Sequence, residues 1–197
     1  MEIVKVETTS RPETGKKATN ALRSNGMIPC NLYGGKENVN FAVAEASVRT
    51  LIFTPAFKLA ELSLGGKMVK AIVKELQAHP VSEKILHIDF QELVDDVKVK
   101  VAVPLIFKGV PKAAAMGGKV EQTMRKLNVL AFPKDLPSEI VLDVSDMDFG
   151  SIKRIKDLGY ETVTFLHSAS IPVARLAVTR AIKEAEAAAA KEAKGKK

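Results

Sequence analysis

The sequence has no tryptophan, one cysteine and few aromatic residues, which make up 5% of 197 residues. The core must therefore be built mainly from Val, Ile, Leu and Ala, and this composition favours strands. The single thiol of Cys30 excludes an intramolecular disulfide and a metal site built from several thiolates, and it fits a reducing compartment.

No apolar run approaches the ~20 residues that span a bilayer. The first residues also lack the order of a signal peptide. We therefore expect a cytoplasmic protein with no membrane partner.

Positive charge is concentrated in two short segments. Residues 11–23 carry four basic residues and one acid, a net charge of +3, and residues 175–197 carry seven basic residues and three acids, a net charge of +4. These segments account for the whole net charge of +7, so the remainder of the chain is neutral. Such localised charge indicates contact with a polyanion, most often a nucleic acid.

The first 93 residues predict a small β-structure with two short helices. Strands are expected at 3–8, 30–33, 38–43 and 85–93, and helices at 16–25, which Gly26 terminates, and at 45–53. The dipeptide Gly65-Gly66 lies between two apolar stretches and predicts a long hairpin. The acidic pair Asp95-Asp96 follows the last strand, and we place the domain boundary there.

A second domain over residues 94–180 is predicted to be mainly β. Residues 97–103 alternate strictly between apolar and other side chains, as a half-buried strand requires. Further strands are expected near 127–132, 139–144, 152–156, 162–166 and 171–178, between turns rich in Pro, Gly and Asp. Residues 181–197 are rich in Ala, Glu and Lys and have nothing apolar to bury, so this tail is either a frayed helix or a flexible segment.

The first predicted helix carries the best candidate for a function. At about 100° per residue, Lys16, Thr19, Asn20 and Arg23 share one face, and the small residues Ala18, Ala21 and Leu22 share the opposite face. Two cations flanked by neutral hydrogen-bonding groups suit contacts to phosphate and sugar. Periodicity alone allows an ordinary solvated amphipathic helix equally well.

The residues around this helix resemble a known family. Gly15 to Arg23 and then Gly26-Met27-Ile28-Pro29-Cys30-Asn31-Leu32-Tyr33-Gly34 resemble the basic helix and Gly-x-Ile-Pro-Ala-x-x-Tyr-Gly motif of the bacterial ribosomal protein family L-twenty-five, also called CTC. Gln77-Ala78-His79-Pro80 and His87-Ile88-Asp89-Phe90 are similar to its second block. The likeness continues through Val101 to Leu105, Gly117-Gly118 and Asp135-Leu136-Pro137, as in members with two domains.

The resemblance implies a β-barrel-like N-terminal domain that binds 5S ribosomal RNA and a C-terminal β-domain. Residues 105–178 carry no basic or aromatic cluster comparable to that of the first domain, so we expect the second domain to contact neighbouring ribosomal protein or RNA backbone without base recognition. The resemblance also implies a location on the ribosome in the cytoplasm. The family's RNA surface, carried over by position, falls on Arg11, Lys16, Lys17, Thr19, Asn20, Arg23, Tyr33, Lys74, His79, His87 and Asp89. Many relatives are more basic around Asn20, Ala21 and Ala78, and Cys30 stands where a small residue is usual.

Several of these residues also have a purely structural interpretation. A carboxylate such as Asp89 is repelled by phosphate but can accept hydrogen bonds from bases, and its alternatives are a turn or a local salt bridge. Tyr33 can stack on RNA or pack over a strand. His79 precedes Pro80 and can simply order a loop, whereas His87 shares a strand face with Asp89.

Other classes of function have less support in the sequence. Cys30 with a histidine could form a nucleophile–base pair, but no flanking signature accompanies it, and a buried structural cysteine is the simpler interpretation. The residues His79, His87 and Asp89 do not specify a metal geometry, and neither Gly-Gly pair has phosphate-loop spacing. We therefore expect no enzyme activity, cofactor, metal or small-molecule substrate. The alternatives are another RNA-binding or ribosome-associated stress factor and a protein-only adaptor.

Overall fold

A computed structural model describes residues 1–35, 37–114, 118–160 and 162–177 of the chain. The described residues divide into two compact units. The first unit comprises Met1–Val101 and Leu130–Ser138, and the second comprises the described parts of 102–129 and of 139–177. A domain boundary after residue 93 stays a prediction. The predicted mainly β fold is confirmed, and the tail at 181–197 lies outside the described residues.

The first unit is built around a closed barrel of six strands. They are β1 (Ile3–Ser10), β2 (Met27–Tyr33), β3 (Val39–Ala44), β4 (Leu59–Leu64), β5 (Lys67–Ala78) and β6 (Ile85–Glu92). Their order around the barrel is β1, β3, β2, β6, β5, β4. The pairs β1–β4 and β2–β6 are parallel, and the other described pairs are antiparallel. Two parallel pairs between strands distant in the chain therefore close the barrel.

Alternating apolar residues fill the barrel. Val6, Cys30, Phe41, Leu62 and Phe90 are each at most 1% exposed. The Phe41 and Phe90 rings lie 5.7 Å apart, in a tilted arrangement favourable for aromatic pairs. The strand predicted at 30–33 was too short, because β2 begins at Met27 and includes Pro29. Proline is tolerated there because pairing of β2 with β6 starts only at Cys30.

The predicted hairpin at Gly65-Gly66 is confirmed. Both glycines have positive φ angles, 54° and 86°, as a two-residue turn of type I′ requires. This turn joins β4 to the long strand β5, which pairs with β6 on its other side. The polar outer surface described below is built on β5, β6 and their neighbour β2.

Two short helices complete the first unit: α1 (Lys16–Ser24) and α2 (Glu45–Ile52). Val48 and Leu51 of α2 belong to the buried core of the barrel, so this helix packs against it. Helix α1 packs beside β2 and has no buried residue. Gly26 follows α1 with a positive φ of 72°, which confirms its predicted role as the helix stop.

The remaining strands form two sheets. They are β7 (Val99–Lys108), β8 (Lys119–Gln122), β9 (Lys126–Ala131), β10 (Ile140–Asp143), β11 (Ile152–Arg154), β12 (Thr164–Phe165) and β13 (Pro172–Ala177). One sheet has the order β10, β7, β9, β12 and the other the order β11, β13, β8. Strand β8 was not predicted, because Val120 is its only apolar residue and gives no alternation. Within the described residues, no helix is long and apolar enough to span a membrane.

Candidate nucleic-acid interface

The outer face of strands β2, β6 and β5 forms a continuous polar surface. Asp89 of β6 lies opposite Asn31 of β2 and opposite Glu75 of β5. Gln77 lies opposite His87. Since side chains directly opposite each other project from the same side of a sheet, these five residues share one face. The buried Ile88 separates His87 from Asp89 and points inward.

His87 and Asp89 form a close pair on this face, as strand alternation predicted. The Nδ1 atom of His87 lies 3.1 Å from Oδ1 of Asp89. Their side chains are 20% and 25% exposed, so both are partly withdrawn from water but open to a ligand. The distance between the Nδ1 and Oδ1 atoms is that of the local salt bridge considered for Asp89. This salt bridge occupies one carboxylate oxygen and leaves the other available as an acceptor.

Tyr33 lies on the same face of β2 as Asn31. Partial burial raises the pKa of Tyr33 above its usual value, and the negative charges of Asp89 and Glu75 raise it further. Its hydroxyl is therefore protonated at neutral pH and can donate a hydrogen bond. Strand register, which the sequence did not reveal, adds Asn31, Glu75 and Gln77 to the surface. The period-two pattern of Cys30 to Tyr33 was the signal that could have found Asn31.

Helix α1 is rotated relative to the prediction. Ala18, Thr19, Leu22 and Arg23 form its half-buried side, whereas Ala21 is exposed. The predicted apolar face was therefore wrong at Ala21, and Thr19 and Arg23 lie toward the barrel. The exposed side carries Lys16, Lys17 and Asn20.

Two arginines explain this rotation because both hold the helix through hydrogen bonds. Nε and Nη2 of Arg23 donate to the carbonyl oxygen of Leu86, at 3.1 and 2.9 Å. Nη2 of Arg11 donates to Oγ1 of Thr19 at 3.0 Å. Thr19 in turn donates to the carbonyl of Gly15 at 2.6 Å. Three of the predicted RNA-contacting residues thus use their polar groups within the protein.

Lys74 and His79 lie on β5 and in the loop that follows it. Nζ of Lys74 donates to the carbonyl of Lys100 at 2.9 Å, and partial burial followed by the charge of Lys100 lowers its pKa. Nδ1 of His79 accepts backbone N–H bonds from Val81 and Ser82 at 3.2 and 3.1 Å. His79 therefore orders this loop, and only its Nε2 is left to meet a ligand.

Cys30 has the environment of a structural residue. It is fully buried, and burial raises the pKa of its thiol from 9.0 to about 12. The reactive thiolate is thus scarcely populated near neutral pH. Among the described residues, no group of three or more His, Cys, Asp or Glu side chains is arranged to hold a metal. The barrel, the basic helix and the polar strand face together define a binding scaffold.

Comparison with known proteins gives the family. Residues 6–90 match the Ribosomal L25p family, and residues 98–180 match the C-terminal domain of ribosomal protein TL5. The chain is 38% identical over 191 residues to large ribosomal subunit protein bL25 of Cytophaga hutchinsonii, covering 97% of this chain and 100% of that protein. It is 39% identical over 187 residues to bL25 of Porphyromonas gingivalis, covering 94% and 97%. It is 36% identical to bL25 of Amoebophilus asiaticus over the full length of both.

The chain therefore belongs to the ribosomal L25p family. Its family consists of structural components of the large ribosomal subunit, which places the chain on the ribosome in the cytoplasm. This confirms the resemblance noted in the sequence and the expected location on the ribosome.

Proposed function

We propose that the chain binds 5S ribosomal RNA through the first unit, with α1 contacting phosphates and β6 contacting bases. One observation carries the proposal. The exposed cationic side of α1 and the His87–Asp89 pair belong to neighbouring elements, and the bonds from Arg23 to Leu86 join those elements directly. A duplex that rests on the helix thus brings its base edges near the strand.

The N-terminal end of α1 suits a phosphate group. Gly15 precedes the helix and supplies no capping side chain, so no side-chain oxygen accepts the first backbone N–H groups. These N–H groups and the helix dipole attract an anion. Lys16 and Lys17 are exposed beside them and line a shallow depression of about 500 Å³ with Glu13 and Thr14. Dipole and ammonium groups therefore act on the same position.

The strand face suits bases better than phosphates. Asp89 and Glu75 would repel a phosphate, whereas a carboxylate oxygen can accept hydrogen bonds from base amino and imino groups. Asn31 and Gln77 add amides that both donate and accept. A regular RNA helix hides its deep groove from side chains, so this face fits a place where non-Watson–Crick pairs open the groove.

We assign this binding to a domain spanning residues 1–93. The contact set is Lys16, Lys17, Asn20, Tyr33, His87 and Asp89, with His79 through Nε2. Arg11, Thr19, Arg23 and Lys74 support it through the internal bonds described above. The second domain, over 94–180, contacts neighbouring proteins or RNA of the large subunit.

Two substitutions separate phosphate contact from base recognition. Lys16→Ala removes a phosphate contact, so affinity for 5S RNA and for a scrambled duplex should fall similarly. The slope of log affinity against log salt should decrease by about 0.7–0.9. Asp89→Asn replaces an acceptor oxygen with a donor and should cost roughly 1–3 kcal/mol on 5S RNA alone. Binding is measured at three salt concentrations.

Matched controls lie elsewhere on the first unit. Lys5 on β1 is exposed and far from β6 in the barrel order, so Lys5→Ala should leave the salt slope unchanged. Asp95→Asn makes the same chemical change as Asp89→Asn but beyond the end of β6. Equal losses of Asp89→Asn on both RNAs would show that this residue does not recognise bases. Unchanged 5S footprints with and without the protein would refute the proposal as a whole.

A further inference from the structure

A second basic surface is assembled on the outer face of the sheet β11, β13, β8. Arg175 on the central strand lies opposite Ile152 on one side and Glu121 on the other. Lys119 is two residues before Glu121, so it projects from this same face. The pairing of β11 with β13 shifts between Lys153 and Arg154, so that Arg154 lies opposite Pro172 at the edge of this face. The exposed side chains are those of Lys119, Glu121, Ile152, Arg154 and Arg175. Arg154, Arg175 and Lys119 thus form a cationic diagonal across three strands.

The opposite face of the sheet is already occupied by the core. Ala174 and Leu176, the neighbours of Arg175 on β13, are each at most 1% exposed, so the sheet is anchored on one side and free on the other. The three cations of the diagonal and the neighbouring Glu121 together carry a net charge of +2. Within the described residues, neither Lys119 nor Arg175 forms a salt bridge. Arg154 gives one N–H to the carbonyl of Ser170, at 3.2 Å, which leaves its other donors available.

The spacing of the cations suits a polyanionic strand. Diagonal neighbours in a sheet are roughly 7–8 Å apart at their backbones, and Lys and Arg side chains are long enough to converge on neighbouring phosphates. Among the described residues of these three strands, no aromatic side chain is present that could stack on a base. Its chemistry therefore fits the phosphate backbone and gives no means to recognise sequence.

We propose that the cationic diagonal docks on the phosphate backbone of ribosomal RNA in the large subunit. RNA is the chosen partner because the chain belongs to a ribosomal family and the face combines cations with an absence of large apolar anchors other than Ile152. This contact is separate from the 5S RNA contact of the first unit. It holds the second unit on the subunit without base recognition.

The test uses the full chain and large subunits depleted of this protein. Lys119→Gln combined with Arg175→Gln should lower affinity for the subunit about tenfold or more. It should also reduce the salt slope by about 0.7–0.9 for each phosphate that is no longer neutralised. Affinity for isolated 5S RNA should stay unchanged, which separates this proposal from the preceding one. Glu121→Gln removes a repulsion and should increase affinity for the subunit.

Two control variants accompany this test. One removes the same number of cations from other strands, and the other keeps both charges in place. Lys108→Gln combined with Lys126→Gln removes two exposed cations from other strands and should leave the slope unchanged. Lys119→Arg combined with Arg175→Lys keeps both charges and should bind like the unsubstituted chain. An equal decrease in slope for the Lys108/Lys126 pair would overturn the proposal. Weakened subunit binding with an unchanged hydroxyl-radical footprint on the RNA would also overturn it and would indicate an acidic protein surface instead.

Discussion

The attachment of α1 to the barrel depends on Arg23, and Arg23→Lys tests this directly. The guanidinium makes two bonds to the carbonyl of Leu86, a residue 63 positions away in the chain. A hydrogen bond to a charged group contributes about 1.5–3 kcal/mol. Apolar packing offers less, because Leu22 is only half-buried and full burial of a leucine contributes about 1.5–3 kcal/mol. Arg23 therefore contributes more than Leu22 to holding the helix, beside the bond from Arg11 to Thr19.

Lysine keeps the charge at position 23 but cannot reproduce the planar pair of donors. We expect backbone amides of α1 in the free protein to exchange with solvent about tenfold to a hundredfold faster, because the free energy of local opening falls by ~1.5–3 kcal/mol. Amides of β2 and β6 should keep their rates. Affinity for 5S RNA should fall with an unchanged salt slope, because no phosphate contact is removed. Lys16→Arg serves as the control and should alter neither measurement.

The opposite pattern would refute this reasoning. If Arg23 contacts phosphate, then Arg23→Lys should bind nearly as well as the unsubstituted chain, and Arg23→Ala should reduce the salt slope by about 0.7–0.9. Exchange rates in α1 would then be the same in all variants. Hydrogen exchange is measured without RNA, so it tests the role of Arg23 independently of the proposed RNA partner.

Three further predictions concern the barrel core and the domain boundary. Cys30→Ala should leave 5S RNA affinity within about tenfold, because a small repacking in the core costs on the order of 1 kcal/mol. The raised thiol pKa of about 12 stabilises the folded state below pH 9, and this contribution is lost as pH rises from 9 toward 12. The unsubstituted chain should therefore lose up to about 1.4 kcal/mol per pH unit more than Cys30→Ala in denaturant titrations over that range. If the unfolding free energies of the two proteins changed equally with pH, the proposed effect of the buried thiol on stability would be refuted. A fragment of residues 1–93 should fold and keep most of the affinity for 5S RNA, although it lacks the bonds from Lys74 to Lys100 and from Phe57 to Ser138. Tighter binding by a 94–197 fragment would contradict the domain assignment.

The local sequence was sufficient to predict most strands and the ends of the helices. Strict alternation of apolar residues marks β7, and Gly65-Gly66 marks the β4–β5 turn, because both depend on backbone geometry within a few residues. Gly26 ends α1 for the same reason. Short-range rules failed for β8, which has one apolar residue and is recognisable only through its pairing with β13.

Tertiary structure decided which side chains meet. The rotation of α1 is set by the carbonyl of Leu86 and by Arg11, neither of which is a neighbour of the helical residue that it binds. Asn31 and Glu75 flank Asp89 only because a parallel pair and an antiparallel pair place β2, β6 and β5 side by side. Lys119 and Arg175 become neighbours in the same way. Residue patterns encode the conformation of each segment, whereas strand register depends on packing of the whole unit, and in this chain register assembles both charged surfaces.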